Sequence, residues 1–135
     1  MHYRALFDVA PIRFYPGEAE IEIALDGEGL AVSLEAWDGE ADAAAMEAAR
    51  SVLSQLAELD AQASGYLFAI PGWPYGEDAR LWLLLVQSDN VRFCYAQNEV
   101  NDEQVIGFSR QGADGWRLQG PDPRRRGKGD SPWHG

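Results

Sequence analysis

The sequence predicts an α+β domain in which one long helix packs on an antiparallel β-sheet, in the order ββ(β)-α-ββββ. Two observations carry this prediction. An apolar stripe with helical spacing occupies the middle of the chain, and runs with strand alternation or continuous apolar character lie on both sides of it. Because both kinds of element must bury their apolar faces in one core, a helix layer on a sheet layer is the expected architecture.

Strand patterns precede the helix. Residues 3–9 form a mixed apolar run that stops before Pro11 and predicts a first strand. Residues 19–25 alternate with period two, with isoleucines on one face and glutamates on the other. A turn at 26–29 leads into a second alternating run at 30–34, so these segments predict a hairpin with one face in water. Trp37 is expected to close this part of the sheet against the helix.

The helix is predicted over residues 41–63, which contain neither glycine nor proline. Its apolar residues recur at spacings of three and four and form one stripe: Met46, Ala49, Val52, Leu53, Leu56 and Leu59. Asp38 or Gly39 is the expected N-terminal cap, and Ser64-Gly65 the expected end.

The second half of the chain predicts a β-meander. Residues 81–86 are continuously apolar, which predicts a central strand covered on both faces. Further strands are expected over 91–97, 104–110 and 116–119, separated by polar turns. Before them, residues 71–78 contain two prolines and two glycines, so they predict an irregular loop.

A change of composition predicts two regions. Residues 1–120 form a single α+β domain, and residues 121–135 form a basic tail rich in proline, glycine and arginine. The tail has no apolar periodicity. Three arrangements are open for it: docking on the acidic body, solvation, or contact with nucleic acid through its arginines.

Composition argues against most kinds of catalysis. The histidines, His2 and His134, lie beside the chain ends, Cys94 is the only cysteine, and no lysine precedes Lys128. These side chains are the ones most often used for acid–base or nucleophilic chemistry near neutral pH. No spacing for a metal site, a phosphate loop or a nucleophile elbow occurs. The sequence therefore predicts no catalytic residue, no cofactor and no metal, with a carboxylate-dependent enzyme as the remaining enzymatic alternative.

The charge distribution predicts the kind of partner. Residues 1–120 carry 20 acids against 7 arginines, a formal charge of −13. Such a body repels nucleic acid and anionic membranes and attracts basic proteins. We therefore expect a basic protein partner, no nucleic acid and no membrane, with the chain itself a monomer or a weak homodimer. The alternative is that the negative charge serves only to keep the protein soluble. No apolar stretch predicts a signal peptide or a membrane span, which makes the cytoplasm the expected location.

An aromatic and acidic loop is the candidate contact surface. Aromatic side chains beside acids on an irregular loop are typical of interface hot spots that face a basic partner. The alternative is that Trp73 folds inward as a lid on the sheet edge. A second acidic loop adds further candidates. The predicted partner-binding residues are Trp73, Tyr75, Glu77, Asp78, Glu99, Asp102 and Glu103.

The run LWLLLVQSDNVRFCYAQNEVNDEQVIGFSRQGADGWRLQG, with the small size, the acidity and the predicted element order, resembles bacterial immunity proteins. These are cytoplasmic antidotes to polymorphic or contact-delivered toxins. The resemblance implies tight binding that plugs a toxin's active site, and an acidic antidote suits a basic nuclease toxin because its carboxylates occupy phosphate positions. Acidic chaperones of secreted effectors are the alternative. They usually begin with a helix and dimerise, whereas this chain is predicted to begin with strands.

Overall fold

The structure, a computed structural model, describes residues 3–25, 28–68, 80–96, 103–112 and 115–121. These residues form three helices and eight strands, which confirms the α+β class. In chain order they are α1 (Tyr3–Val9), β1 (Ile12–Tyr15), β2 (Glu18–Leu25), β3 (Glu28–Trp37), β4 (Glu40–Ala41), α2 (Ala43–Ser54), α3 (Leu56–Phe68), β5 (Arg80–Val86), β6 (Asn90–Ala96), β7 (Glu103–Gln111) and β8 (Gly115–Pro121).

The strands form one sheet in the order β1-β2-β3-β5-β6-β7-β8, with β4 paired to β3. Neighbouring strands are antiparallel except β3 and β5, which are parallel. The prediction of a wholly antiparallel sheet is therefore wrong at this pair. The reason is the long connection that contains α2 and α3, since a crossover of this kind returns the chain to the same end of the sheet.

The predicted single long helix is also wrong, because the segment forms two helices that break at Gln55. The Gln55 amide donates to the Val52 carbonyl at 3.0 Å, three residues back instead of four. The Ser51 carbonyl, its regular helical acceptor, instead accepts the Ser54 hydroxyl at 2.7 Å. A serine side chain that competes for a backbone carbonyl interrupts a helix without glycine or proline.

The N-terminal segment forms α1 instead of the predicted strand. Tyr3 and Phe7 are 8% and 2% exposed, while Val9 is 82% exposed. Apolar residues at 3, 5, 7 and 9 fit strand alternation, but Tyr3 and Phe7 also fit one helical face. A run of seven residues does not separate the two periods.

The cap of α2 differs from the expected one. Asp38 and Gly39 have φ angles of 52° and 78°, as the two central residues of a type I′ turn require, and they connect β3 to β4. Asp42 caps α2 instead, and its carboxylate accepts the Ala45 amide at 2.9 Å. Because Asp38 and Gly39 form a turn instead of the helix cap, Trp37 lies in the β3–β4 hairpin and not against the helix.

The core lies between the helices and one face of the sheet, which we call the inner face. One cross-strand row runs across five strands of this face, and every member is 0% exposed: Ile21, Val32, Leu84, Phe93 and Ile106. The buried apolar residues of α1, α2 and α3 belong to the same cluster. The opposite side of the sheet is called the outer face.

Candidate protein-binding surface

Most of the predicted partner-binding residues lie outside the described part of the chain: Trp73, Tyr75, Glu77, Asp78, Glu99 and Asp102. Glu103 is the first residue of β7, where it pairs with Ala96 of β6. The loop surface built on these residues stays a prediction. The described residues present a different surface with the same chemistry.

Four glutamates on the outer face of β2 and β3 form what we call the acidic surface: Glu18, Glu20, Glu22 and Glu35. Because β2 buries Ala19, Ile21 and Ile23 on the inner face, strand alternation directs its glutamates to the other side. Glu22 is exposed and the other three are half-buried. The strand that builds the core thus also builds this surface.

Two of these acids face each other directly, because Glu18 of β2 pairs in register with Glu35 of β3. Each is held by a neighbour: the Ser33 hydroxyl donates to Glu18, and the Gln87 amide donates to Glu35 at 3.1 Å. Like charges directly opposite each other destabilise a sheet. Hydrogen bonds from neutral groups fix the two carboxylates in place without removing their charge.

The other two acids have different neighbours. Glu20 lies between Ser33 of β3 and Arg13 of β1 in the sheet register. Glu22 lies against Gly29, where an added Cβ would be 2.7 Å from the carboxylate oxygen. The absence of a side chain at Gly29 therefore provides the room that the Glu22 side chain occupies.

Two exposed aromatic side chains flank the acids. Tyr15 pairs with Glu18 and is 48% exposed, and Trp37, two residues beyond Glu35, is 66% exposed. The expectation that Trp37 closes the sheet against the helix is wrong. Its position in the strand alternation places it on the outer face. The sequence pattern indicates this position, because Glu35 and Trp37 fall on the opposite face from the alternating apolar residues that begin at Leu30.

Open depressions border the acidic surface at both ends. One, of about 390 Å³, lies beside Arg13, Glu22 and Glu28. The other, of about 440 Å³, lies beside Glu35 and Asp42. Asp89 also lines the second depression. All three of its acids accept a hydrogen bond within the protein, Asp42 from the Ala45 amide, Glu35 from the Gln87 amide and Asp89 from the Asn90 amide, which gives them structural roles. Within the described residues, no group of three histidine, cysteine or acidic side chains is arranged to hold a metal ion.

The outer face has a second, apolar half on β5, β6 and β7. Its buried members form what we call the outer apolar cluster: Leu83, Leu85, Cys94 and Val105, all 5% exposed or less. The half-buried Trp82 packs against this cluster, next to an irregularity in the β5–β6 pairing. The continuously apolar strand β5 therefore contributes side chains to the core cluster on the inner face and to the outer apolar cluster.

Two groups on the helix side of the sheet have shifted pKa values. Burial raises the pKa of the Tyr95 phenol, as does Asp60, whose carboxylate accepts its hydrogen bond at 2.5 Å. A hydrogen bond from Arg110, at 2.9 Å, lowers the pKa of Glu47. Each pair joins a helix to a strand, which gives these interactions a structural role.

Comparison with protein-family models, with curated proteins and with solved structures finds no match to this chain. No helix of the described residues combines the length and the hydropathy that a membrane span needs.

Proposed function

We propose that this protein is a small acidic binding protein that acts as a bacterial immunity protein, and that its acidic surface contacts a basic region of the toxin. The observation that supports this proposal best is the direct pairing of Glu18 with Glu35 between the exposed rings of Tyr15 and Trp37. The sheet keeps a repulsive pair on a solvent-facing surface. A basic partner would relieve that repulsion, so the same feature that lowers stability favours binding.

The two kinds of side chain have separate roles in this proposal. Carboxylates steer a basic partner during approach and raise the association rate, an effect that salt screens. Exposed aromatic rings bury apolar area after contact and slow dissociation. Trp37 therefore acts in the complex, and the four glutamates act before it forms.

An effector chaperone is a second candidate, and two observations favour it. The first element of the described residues is the helix α1, so the strand predicted there, which counted against a chaperone, is wrong. An apolar strip also lies along α1 and the edge strand β1. Its members are between 39% and 82% exposed: Leu6, Val9, Ile12 and Phe14. A chaperone would use such a strip to dimerise.

Binding kinetics test the proposed surface. A basic partner is first identified by pull-down from the source organism, and its binding is then measured by surface plasmon resonance. Glu22→Lys is expected to slow association, and Trp37→Ala is expected to raise the dissociation rate at a cost of about 2 kcal/mol or more. Raising the salt concentration is expected to slow association of the wild-type protein.

A matched control separates a local surface from bulk charge. Glu58→Lys makes the same charge change at an exposed site on α3, away from the sheet. Equal slowing by Glu22→Lys and Glu58→Lys would show that only net charge matters. Inhibition of the partner's toxic activity supports the immunity role. A stable dimer that Phe14→Glu dissociates, with no inhibition of any partner, would instead support the chaperone.

A further inference from the structure

We propose that this protein forms a homodimer in which the edge strand β1 of one copy pairs antiparallel with β1 of the other, about a two-fold axis at Phe14. The two sheets then join into one, and Arg13 of each copy lies against the ring of Tyr15 of the other. The dimer goes beyond the proposed function and is compatible with either candidate, because it leaves the acidic surface of both copies open.

The strand β1 is an open edge of the sheet. It comes first in the sheet order, and among the described residues β2 is the only strand that pairs with it. All four of its residues are exposed. An exposed edge presents unpaired backbone groups, which form a template for another strand.

The pairing of β2 with β3 shows which backbone groups of β2 point toward β1. The Gly17 carbonyl accepts the Ala36 amide of β3 at 3.3 Å. Because the backbone groups of successive residues in a strand point to opposite sides, the odd-numbered residues of β2 bond to β3. The even-numbered residues Glu18 and Glu20 therefore direct their amides and carbonyls to β1.

The same alternation applies to β1 itself. Tyr15 and Arg13 pair with these two glutamates, so their backbone groups point into the sheet. Ile12 and Phe14 have amides and carbonyls that point away from the sheet. These are the groups that a strand added at this edge would bind.

The apolar strip lies beside the same edge. The side chains of Ile12 and Phe14 are on the inner face, because their partners on β2 are buried core residues. They are 39% and 44% exposed, and Leu6 and Val9 of α1, which packs on β2, are 41% and 82% exposed. Apolar area that continues along an open strand edge is typical of a protein interface.

Three other two-fold registers of β1 with itself are unfavourable. An axis at Arg13 would set two guanidinium groups opposite each other, which destabilises a strand pair. An axis at Ile12 would need the Ala10 amide, which already donates to a carbonyl of α1 at 3.0 Å. An axis at Tyr15 would rely on Pro16, which has no amide to donate.

An axis at Phe14 is the favourable register. The two Phe14 residues exchange both of their backbone hydrogen bonds, and Ile12 of each copy donates to the Pro16 carbonyl of the other. On the outer face, Arg13 of each copy comes directly opposite Tyr15 of the other, and a guanidinium over a phenol ring is attractive. Arg13 is the only charged residue of β1, so the strand is complementary to a second copy of itself.

The dimer brings the two acidic surfaces side by side without direct contact. An antiparallel strand pair keeps the outer faces of both copies on one side, and three strand spacings, or about 14 Å, separate the two β2 strands. This distance exceeds the screening length of about 8 Å at physiological salt, so repulsion between the surfaces is weak there. Added salt is therefore expected to strengthen the dimer, whereas it slows association with a basic partner.

Analytical ultracentrifugation over a range of protein concentrations tests the dimer. We expect a reversible monomer–dimer equilibrium with a Kd on the order of micromolar, because one strand and one apolar strip make a small interface. Every variant is made in the full-length chain, so the basic tail, residues 122–135, which lies outside the described residues, is the same in all of them.

Two substitutions and one control test the contacts. Phe14→Glu is expected to raise the Kd about 100-fold or more, because it places two carboxylates at the axis. Arg13→Gln is expected to raise it about tenfold through the loss of two cation–ring contacts. Ala61→Glu adds the same charge as Phe14→Glu at an exposed site of α3 and is expected to leave the Kd within about twofold. Thermal unfolding verifies that each variant is folded.

Cysteine cross-linking tests the register and does not depend on the Phe14 variant. Arg13→Cys with Tyr15→Cys in one chain sets two cysteine pairs across the interface, with Cα atoms about 4.5 Å apart, a distance that a disulfide can span. We expect oxidation to give a covalent dimer from this double variant and little from either single variant. The native Cys94 is buried and is common to all of these chains.

Four results would overturn the proposal. The first is a protein that stays monomeric at its highest soluble concentration, and the second is an equal effect of Phe14→Glu and Ala61→Glu. The third is cross-linking by Arg13→Cys alone, which would place the axis at Arg13. The fourth is a dimer that added salt weakens, which would indicate an ionic interface. No basic partner is present in these measurements, so the dimer can fail while the proposed function holds, and the reverse.

Discussion

The two halves of the outer face differ in chemistry although they belong to one sheet. On β2 and β3 the face carries four glutamates and exposed aromatic rings. On β5, β6 and β7 it carries an apolar cluster that is almost fully buried. The parallel pair β3–β5 is the boundary, since Ala31 of β3 lies beside Leu83 of β5.

This difference shows that burial is set strand by strand and not for a whole face. β2 alternates apolar residues with glutamates, so one of its faces requires water or a partner. β5 is apolar at every position from Leu81 to Val86, so both its faces require cover. The sheet is therefore buried on both faces at β5 but only on its inner face at β2. The exposed outer face at β2 remains available for binding.

The largest expected effect comes from placing a glutamate on the apolar half. Leu83→Glu would bury a carboxylate beside Ala31 and Cys94, and we expect it to lower the free energy of unfolding by about 3–5 kcal/mol. Urea denaturation followed by tryptophan fluorescence measures this change.

Ala24→Glu is the matched control on the acidic half. Ala24 is an exposed residue of β2, and the alternation of that strand places it on the outer face. We expect the control to change stability by no more than about 0.5 kcal/mol. Similar losses in the two variants would contradict the division of the outer face into two halves.

A smaller effect is expected on the inner face, where the buried Tyr95 donates to the half-buried Asp60. Tyr95→Phe removes the donor to Asp60 and, among the residues that the structure describes, leaves that carboxylate with the Ser64 hydroxyl at 3.4 Å. We expect a loss of about 1–3 kcal/mol, measured by urea denaturation at pH 7. A loss below about 0.5 kcal/mol would show that water replaces the phenol without penalty.

The same residue gives a pH dependence. Because the pKa of Tyr95 is raised, the folded protein keeps this proton at a pH where the unfolded chain releases it. Its contribution to stability is complete below about pH 10 and falls above it by up to about 1.4 kcal/mol per pH unit. The difference between wild-type and Tyr95→Phe stability is therefore expected to shrink from pH 10 upward, and a constant difference would contradict this assignment.

The smallest expected effect is a gain of stability on the acidic half. Glu35→Gln removes the repulsion with Glu18 and keeps an oxygen that accepts the Gln87 hydrogen bond. We expect the variant to be more stable by about 0.2–1 kcal/mol and to associate more slowly with a basic partner. Glu58→Gln, at an exposed site on α3, is the control, and an equal gain there would show that net charge alone sets the effect.

Segments whose apolar residues fit only the period of a strand were predicted correctly from the sequence. The alternation over 19–25 and the runs at 81–86, 91–97 and 104–110 all became strands with closely matching bounds. Each is long enough, or apolar enough, to exclude a helical face. The alternating glutamates of β2 were likewise recognised as facing away from the core.

Features that depend on other parts of the chain were not predictable in this way. Tyr3 and Phe7 fit two periods, and only packing against β2 and α2 selects the helix. The break at Gln55 depends on a serine side chain that competes for a backbone carbonyl. The pairing of Glu18 with Glu35 requires the register of β2 against β3, which alternation alone does not specify.

The parallel pairing of β3 with β5 also constrains how the chain folds. Every other neighbouring pair in the main sheet joins strands that are consecutive in the described order, so those contacts close short loops. Joining β3 to β5 requires the whole segment between Trp37 and Arg80 to close, which carries a larger entropic cost. The N-terminal meander and the C-terminal meander should therefore assemble first, and the docking of one onto the other should limit the folding rate.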